Sequence, residues 1–230
     1  MPLAPLSRLR AMRHAALDFL FTPRCAGCRR EGCYLCDACA AATGSLRGPI
    51  FPWAATGSRA CFLDDVTLAA VFAPHPFTGA VREAVHDLKY RGVAASAPEL
   101  AARMAAHALR HGLTADVIAP VPLHQRRHRR RGYNQAALLA REVSRLLDVP
   151  LLDDALVRTQ YRSPQAAASS KEERASAVRD AFRCDVPLSG RRVLLIDDVC
   201  TTGATLNACA CALRAADGGS VIGLTLAHEV

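Results

Sequence analysis

The residues best equipped for chemistry lie in Val193–Leu206, VLLIDDVCTTGATL. An apolar run leads into two adjacent carboxylates, Asp197 and Asp198, and then into a loop of Thr201, Thr202, Gly203, Ala204 and Thr205. Ionised carboxylates only accept hydrogen bonds, so an acidic pair suits vicinal sugar hydroxyls, directly or through a hydrated divalent cation. A loop with little side-chain bulk lets backbone N–H groups converge on an anion. Three threonine hydroxyls add donors, and a helix beginning near Thr205 adds positive potential at its N-terminus. Carboxylates for a ribose and amides for a phosphate make a ribose 5-phosphate site. A helix cap beside a tight turn uses the same residue types, but the ordered combination of strand, acids, loop and helix is much rarer. No GxxxxGK[ST] occurs, which excludes a P-loop NTPase.

Positioning those acids requires a strand. Val193 to Ile196 is short and uniformly apolar, as expected of a parallel strand covered on both faces. Ligands of open α/β sheets sit beyond the carboxyl ends of such strands. A second buried strand, Val117 to Val121, is stopped by Pro122 and delivers a basic run to the same rim. His124 to Arg131 holds five arginines and two histidines in eight residues. An isolated charge run is a solvated surface; on this rim, guanidinium forks suit a second anionic group such as pyrophosphate.

Further elements follow from periodicity. Val66 to Phe72 reads as a strand broken by Pro74-His75-Pro76. Helices are predicted over Thr78–Leu88, with Val81, Val85 and Leu88 inward, over Pro98–Leu109 and over Gln135–Leu147. Gly92 is placed to end the first of them after Lys89-Tyr90-Arg91. The last strand spans about Ser220 to Ala227. Alternation of strands and helices predicts an α/β fold with a parallel sheet. Residues 43–60, rich in glycine and proline, read as a boundary. Residues 158–183 are polar and alanine-rich, a lid or an exposed helix.

A second chemical cluster lies near the start. Cys25-x2-Cys28 and Cys36-x2-Cys39 are separated by seven residues. Each pair makes a tight turn with two sulfurs aimed at one point, and two such knuckles complete a tetrahedral site suited to Zn²⁺. Cys33 shares the CxxC spacing with Cys36 and is the alternative ligand. Cys61, Cys184, Cys200, Cys209 and Cys211 lack partner spacing and read as small core or semi-core residues.

At 230 residues with 51% hydrophobic content, the chain fits one α/β domain plus a small appendage. A net charge of +8 favours anionic ligands. No apolar run approaches the roughly 18 residues that span a membrane. Arg8, Arg10, Arg13 and His14 precede an apolar stretch, but Asp18 interrupts it and Pro23-Arg24-Cys25 is no small-residue cleavage site. A short amphipathic helix and a cytoplasmic location are expected, with cysteines used for metal rather than disulfides. Aromatic content of 5% argues against an extended base-stacking platform.

Val193–Leu206 resembles the phosphoribosyl pyrophosphate (PRPP) motif of type I phosphoribosyltransferases. The order of parts resembles the ComF branch, related to the competence protein ComFC. The matching segments are Pro23–Cys28, the LKYRG of Leu88–Gly92, the PVPLHxxRxxxRGYNQ pattern over Pro120–Gln135, Ser163–Gln165 and Asp197–Thr205. The resemblance implies a Rossmann-like parallel sheet of about five strands flanked by helices over 60–230, preceded by an N-terminal helix and a four-cysteine zinc knuckle over 1–45. It implies that Asp197 and Asp198 hold the ribose and serve the reaction and that Thr201 to Thr205 bind the 5-phosphate, with Mg²⁺ as cofactor. Lys89, Arg126 and Arg131 are the candidates for the pyrophosphate, and the arginine run does not say which of its members make the contact. It further implies phosphoribosyl transfer linked to natural competence and DNA uptake. The alternative is a non-catalytic module that senses PRPP or a nucleotide and binds single-stranded DNA or a DNA-uptake helicase. There are departures. Only Cys61 remains where many relatives carry further knuckles, Ala177 stands where an R-x-x-N-V pattern from Arg174 would have asparagine, and Cys200 occupies a usually apolar loop position.

Overall fold

A computed structural model describes residues 22–51, 67–159 and 181–230. The expected N-terminal helix, Cys61, the Ser163–Gln165 segment, Arg174 and Ala177 lie outside the described residues. A knuckle over residues 25–36 leads into α1 (Asp37–Thr43). Then follow β1 (Leu68–Phe72), β2 (His75–Pro76), α2 (Gly79–Tyr90), α3 (Ala97–Arg110), β3 (Val117–Pro120), α4 (Gln125–Arg131) and α5 (Gln135–Leu147). The chain ends with β4 (Leu156–Arg158), β5 (Phe182–Cys184), β6 (Val193–Cys200), α6 (Ala204–Ala215) and β7 (Val221–His228).

The main sheet is parallel, in the order β1-β7-β6-β3, with β2 pairing further along β7. Strands β6 and β7 stay in register from Val193↔Val221 to Cys200↔His228. That pairing carries β6 four residues past its apolar run, so both acids lie within the strand rather than after it. A fully apolar strand is buried on both faces, and the two cores show it. Leu194 and Ile196 pack with α2, α3 and α5, whereas Val193 and Leu195 pack with α6 and the small antiparallel sheet β4–β5. The period of two sends alternate residues to opposite layers.

Three features were not legible in the periodicity. The arginine run is a helix, α4, none of whose residues is buried. His124 caps it by accepting the Arg126 N–H at Nδ1, 3.1 Å away, and Gly132 ends it in the left-handed region at φ 85°. The strands β4 and β5 have three residues each, too short to show alternation. Strand β2 sits within the proline-flanked segment read as a break.

Candidate functional site

The site is assembled where β6, α2 and α4 meet. Asp198 continues the register of Leu194 and Ile196 and faces the α2 layer. There its Oδ1 is 2.9 Å from Lys89 Nζ, in the last turn of α2. Asp197 continues the register of Val193 and Leu195 and faces the α6 layer. Its own Oδ1 bends forward to accept the Asp198 N–H at 2.8 Å. Burial first, and the Asp198 carboxylate second, push the Asp197 carboxyl well above the usual range, with Lys89 opposing. Asp198 is 2% exposed, and its Oδ2 is buried without a hydrogen-bond partner. An orphaned buried carboxylate oxygen is costly. It fits a ribose hydroxyl or a hydrated Mg²⁺, which would offset the charge of the pair.

Lys89 also lines a cleft of about 630 Å³ with Tyr90, Gly92, Arg126, Arg127, Arg130 and Arg131. The three basic residues singled out by sequence, Lys89, Arg126 and Arg131, therefore come together in one cavity. Arg127 and Arg130 join them, as a one-turn helical repeat dictates. Arg131 is oriented by the Gln135 side-chain oxygen and lies over the Tyr90 ring at 5.4 Å. Arg91 turns away to Glu83 and Asp87, leaving Lys89 to serve the cleft.

The RGYN segment is the clamp. The Tyr133 hydroxyl donates to the Leu88 carbonyl, fixing the end of α2 that carries Lys89. Asn134 accepts the Ala136 N–H at 3.1 Å, capping α5, and its amide donates to the Val121 carbonyl at 3.0 Å, tying the cap to the end of β3.

Beyond Cys200, the small-residue loop turns into α6. Gly203 is its N-cap, at φ 73° where a side chain would be strained. Thr201, Thr202 and Thr205 are exposed, Gly203 is buried and Ala204 is half-buried. The twelve-residue helix α6 places its N-terminal N–H groups at this loop. His228 latches the exit by a 3.0 Å contact from Nδ1 to the Cys200 carbonyl.

The cysteine cluster forms on the α2–α3 face. Sulfurs of Cys25, Cys28, Cys36 and Cys39 lie within 4.8 Å of one another, and Cys33 is outside the set. The Cys28 and Cys36 sulfurs are 3.8 Å apart, matching the edge of a tetrahedron with Zn–S bonds of about 2.3 Å. Burial raises the Cys25 thiol, but N–H groups of Cys36, Cys28 and Gly27 outweigh it and hold it at about 6. Contacts with the Cys36 and Cys28 thiols push Cys39 up to about 12. Four thiolates this close repel, so the set fits a dication. The cluster is docked by Glu99 on α3, whose two oxygens accept the N–H groups of Tyr34 and Leu35, each at 2.8 Å.

A strand bearing an acidic pair, a small-residue loop opening a helix and a basic cleft on a parallel sheet are the layout of a phosphoribosyltransferase-type fold. Residues 133–229 match the phosphoribosyl transferase domain family, a span from Tyr133 through α5, both acids and β7. The chain is 44% identical over 95 residues to Competence protein F of Haemophilus influenzae, covering 40% of this chain and 41% of that one. It is 41% identical over 91 residues to the DNA utilization protein YhgH of Escherichia coli K12, covering 40% of each. It is 33% identical over 111 residues to Competence protein ComFC of Bacillus subtilis, covering 48% of this chain and 43% of that one. The chain spans about two fifths of the length of these curated relatives. With the four-cysteine cluster ahead of the matched domain, the chain is similar to these ComF-type proteins over the aligned spans. No helix among the described residues is long and apolar enough to cross a membrane.

Proposed function

We propose that the cleft binds PRPP and that the protein transfers its phosphoribosyl group to an acceptor, releasing pyrophosphate. The observation that carries this is the Lys89–Asp198 pair, which joins the acidic end of β6 to the arginine-lined cavity. Asp197 and Asp198 hold the ribose hydroxyls and stabilise oxocarbenium-like charge at the anomeric carbon. The loop from Thr201 to Thr205 takes the 5-phosphate. Lys89, Arg126 and Arg131, with Arg127 and Arg130, take the pyrophosphate and neutralise it as it leaves. Mg²⁺, held at the acids, would supply further charge neutralisation. Catalysis is then positioning and electrostatics, with no covalent nucleophile.

The names of the relatives support a role in DNA uptake or use. A second reading, a non-catalytic module that binds PRPP or a nucleotide and single-stranded DNA, draws on α4, whose arginines lie on a helix with no buried residue. Pyrophosphate release from PRPP across a panel of bases separates the two. Release with one acceptor, lost in Lys89→Met, supports transfer; retained PRPP binding with no release supports the module. DNA affinity carried by α4 would fall steeply with salt.

A further inference from the structure

Arg158 was not singled out by any motif, yet it is the odd cation of the molecule. It ends β4 and stands cross-strand from Phe182, with its guanidinium 5.2 Å from the Phe182 ring centre. The side chain is half-buried, and its Nε is shielded from water with no hydrogen-bond partner. No carboxylate among the described residues forms an ion pair with it. Other partly buried arginines are provided for. Arg103 also has a buried Nε without a partner, but its terminal nitrogen donates to the Leu35 carbonyl and Asp37; Arg131 donates to Gln135 and Arg191 to the Leu188 carbonyl. Burying an unpaired guanidinium is expensive.

Its surroundings explain what is missing. Arg158 lies on the α6 layer, the side to which the strand alternation directs Asp197. Its electrostatic neighbours are Arg127 on α4, Cys209 on α6 and Asp197, and it contributes with Arg126 and Arg127 to disfavouring a charged His124. Arg158 and Arg127 thus lie within electrostatic reach of each other and of Asp197, and no ion pair among the described residues joins either cation to an acid. Lys89 occupies the opposite side of the acidic pair.

We propose that Arg158, with Arg127, receives a phosphoryl group of the ligand on the Asp197 side of the site. This rests on the PRPP reading of Asp197 and Asp198. The guanidinium supplies a planar fork for phosphate oxygens, backed by an aromatic ring that fixes its plane. The phosphoryl group can belong to the ribose 5-phosphate or to the pyrophosphate, and the chemistry of recognition is the same.

The test titrates the full chain with two probes, ribose 5-phosphate and inorganic pyrophosphate, by calorimetry. Arg158→Met should weaken at least one of them about tenfold, the effect of losing a charge-assisted contact. Arg158→Lys should recover part of the loss. The probe that weakens identifies which phosphoryl group Arg158 meets. Without ligand, Arg158→Met should melt no lower than wild type, because an unpaired cation is removed. Unchanged affinity for both probes, or a drop in melting temperature with affinity intact, would overturn the assignment and make Arg158 structural. Arg158-dependent pyrophosphate binding with no ribose 5-phosphate binding would support Arg158 while sinking the ribose-phosphate reading. Binding of neither probe to the wild type would overturn both.

Discussion

The cysteine knuckle and the acidic–basic cleft solve opposite problems. In the knuckle nearly every polar group has a protein partner. Glu99 takes two backbone N–H groups, Arg103 holds the Leu35 carbonyl and Asp37, and Cys25 and Cys36 sulfurs accept N–H groups from Cys36 and Cys39. There is no spare room either: a Cβ on Gly27 would lie 2.8 Å from both Ala80 Cβ and the Cys39 sulfur. The cleft instead gathers like charges and leaves polar atoms open. Lys89 and four arginines line it, one oxygen of Asp198 is orphaned, and Arg158 has no counter-ion among the described residues. The knuckle satisfies its own polar groups, as a structural region does, whereas the cleft leaves groups that the proposed ligand would satisfy.

The contrast predicts destabilisation in one region and a trade between stability and binding in the other. The largest effect belongs to the knuckle. Metal analysis should find about one zinc per chain, and Cys36→Ser or chelation should remove it with a loss of several kcal/mol, since metal binding is folding energy at such sites. Next is Lys89→Met, which leaves Asp198 buried and unpaired. Denaturant titration should show a cost of about 3–5 kcal/mol, and Lys89→Met/Asp198→Asn should recover much of it.

Acid should weaken the layer beneath the knuckle. His107 is 1% exposed with neither ring nitrogen hydrogen-bonded. Burial first, then His111, Arg110 and His75, lower it to about 4. A histidine depressed in the folded state keeps its full contribution above the unfolded value near 6.5 and loses it as pH falls toward 4. Melting curves should show a loss of up to about 3 kcal/mol across that window, abolished in His107→Phe.

In the cleft the sign reverses. Asp197 has a raised carboxyl, so its contribution is fully present below the unfolded value and lost as pH rises. Asp197→Asn should therefore stabilise the ligand-free protein at neutral pH, with the advantage shrinking toward pH 4. The smallest effect is expected at Arg129, which is exposed and does not line the cleft. Arg129→Ala should change PRPP affinity less than about twofold and stability by under about 0.5 kcal/mol, whereas Arg131→Ala should weaken binding clearly.

Much of this was legible because it is local. CxxC spacing brought the four sulfurs together, and chain order placed Asp197 and Asp198 directly after the apolar run of a strand. Lys89 was legible only through LKYRG, because its contact with Asp198 joins segments far apart in the chain. The opposite facing of the two acids follows from the strand period once β6 is known to continue through them; an apolar run ending at Ile196 gave no sign of it. Arg158 had no signal at all, because its setting comes from the pairing of a three-residue strand with β5 rather than from any local pattern. The helical state of α4 was hidden by its lack of an apolar face.

The most direct measurement is calorimetric titration of PRPP with Mg²⁺ into the wild type and into Asp197→Asn/Asp198→Asn. Saturable binding to the wild type, abolished in the double variant while its melting temperature is retained, is the expected result. Equal binding by both proteins, or none by the wild type, would contradict the assignment of the β6 acids to a phosphoribosyl ligand.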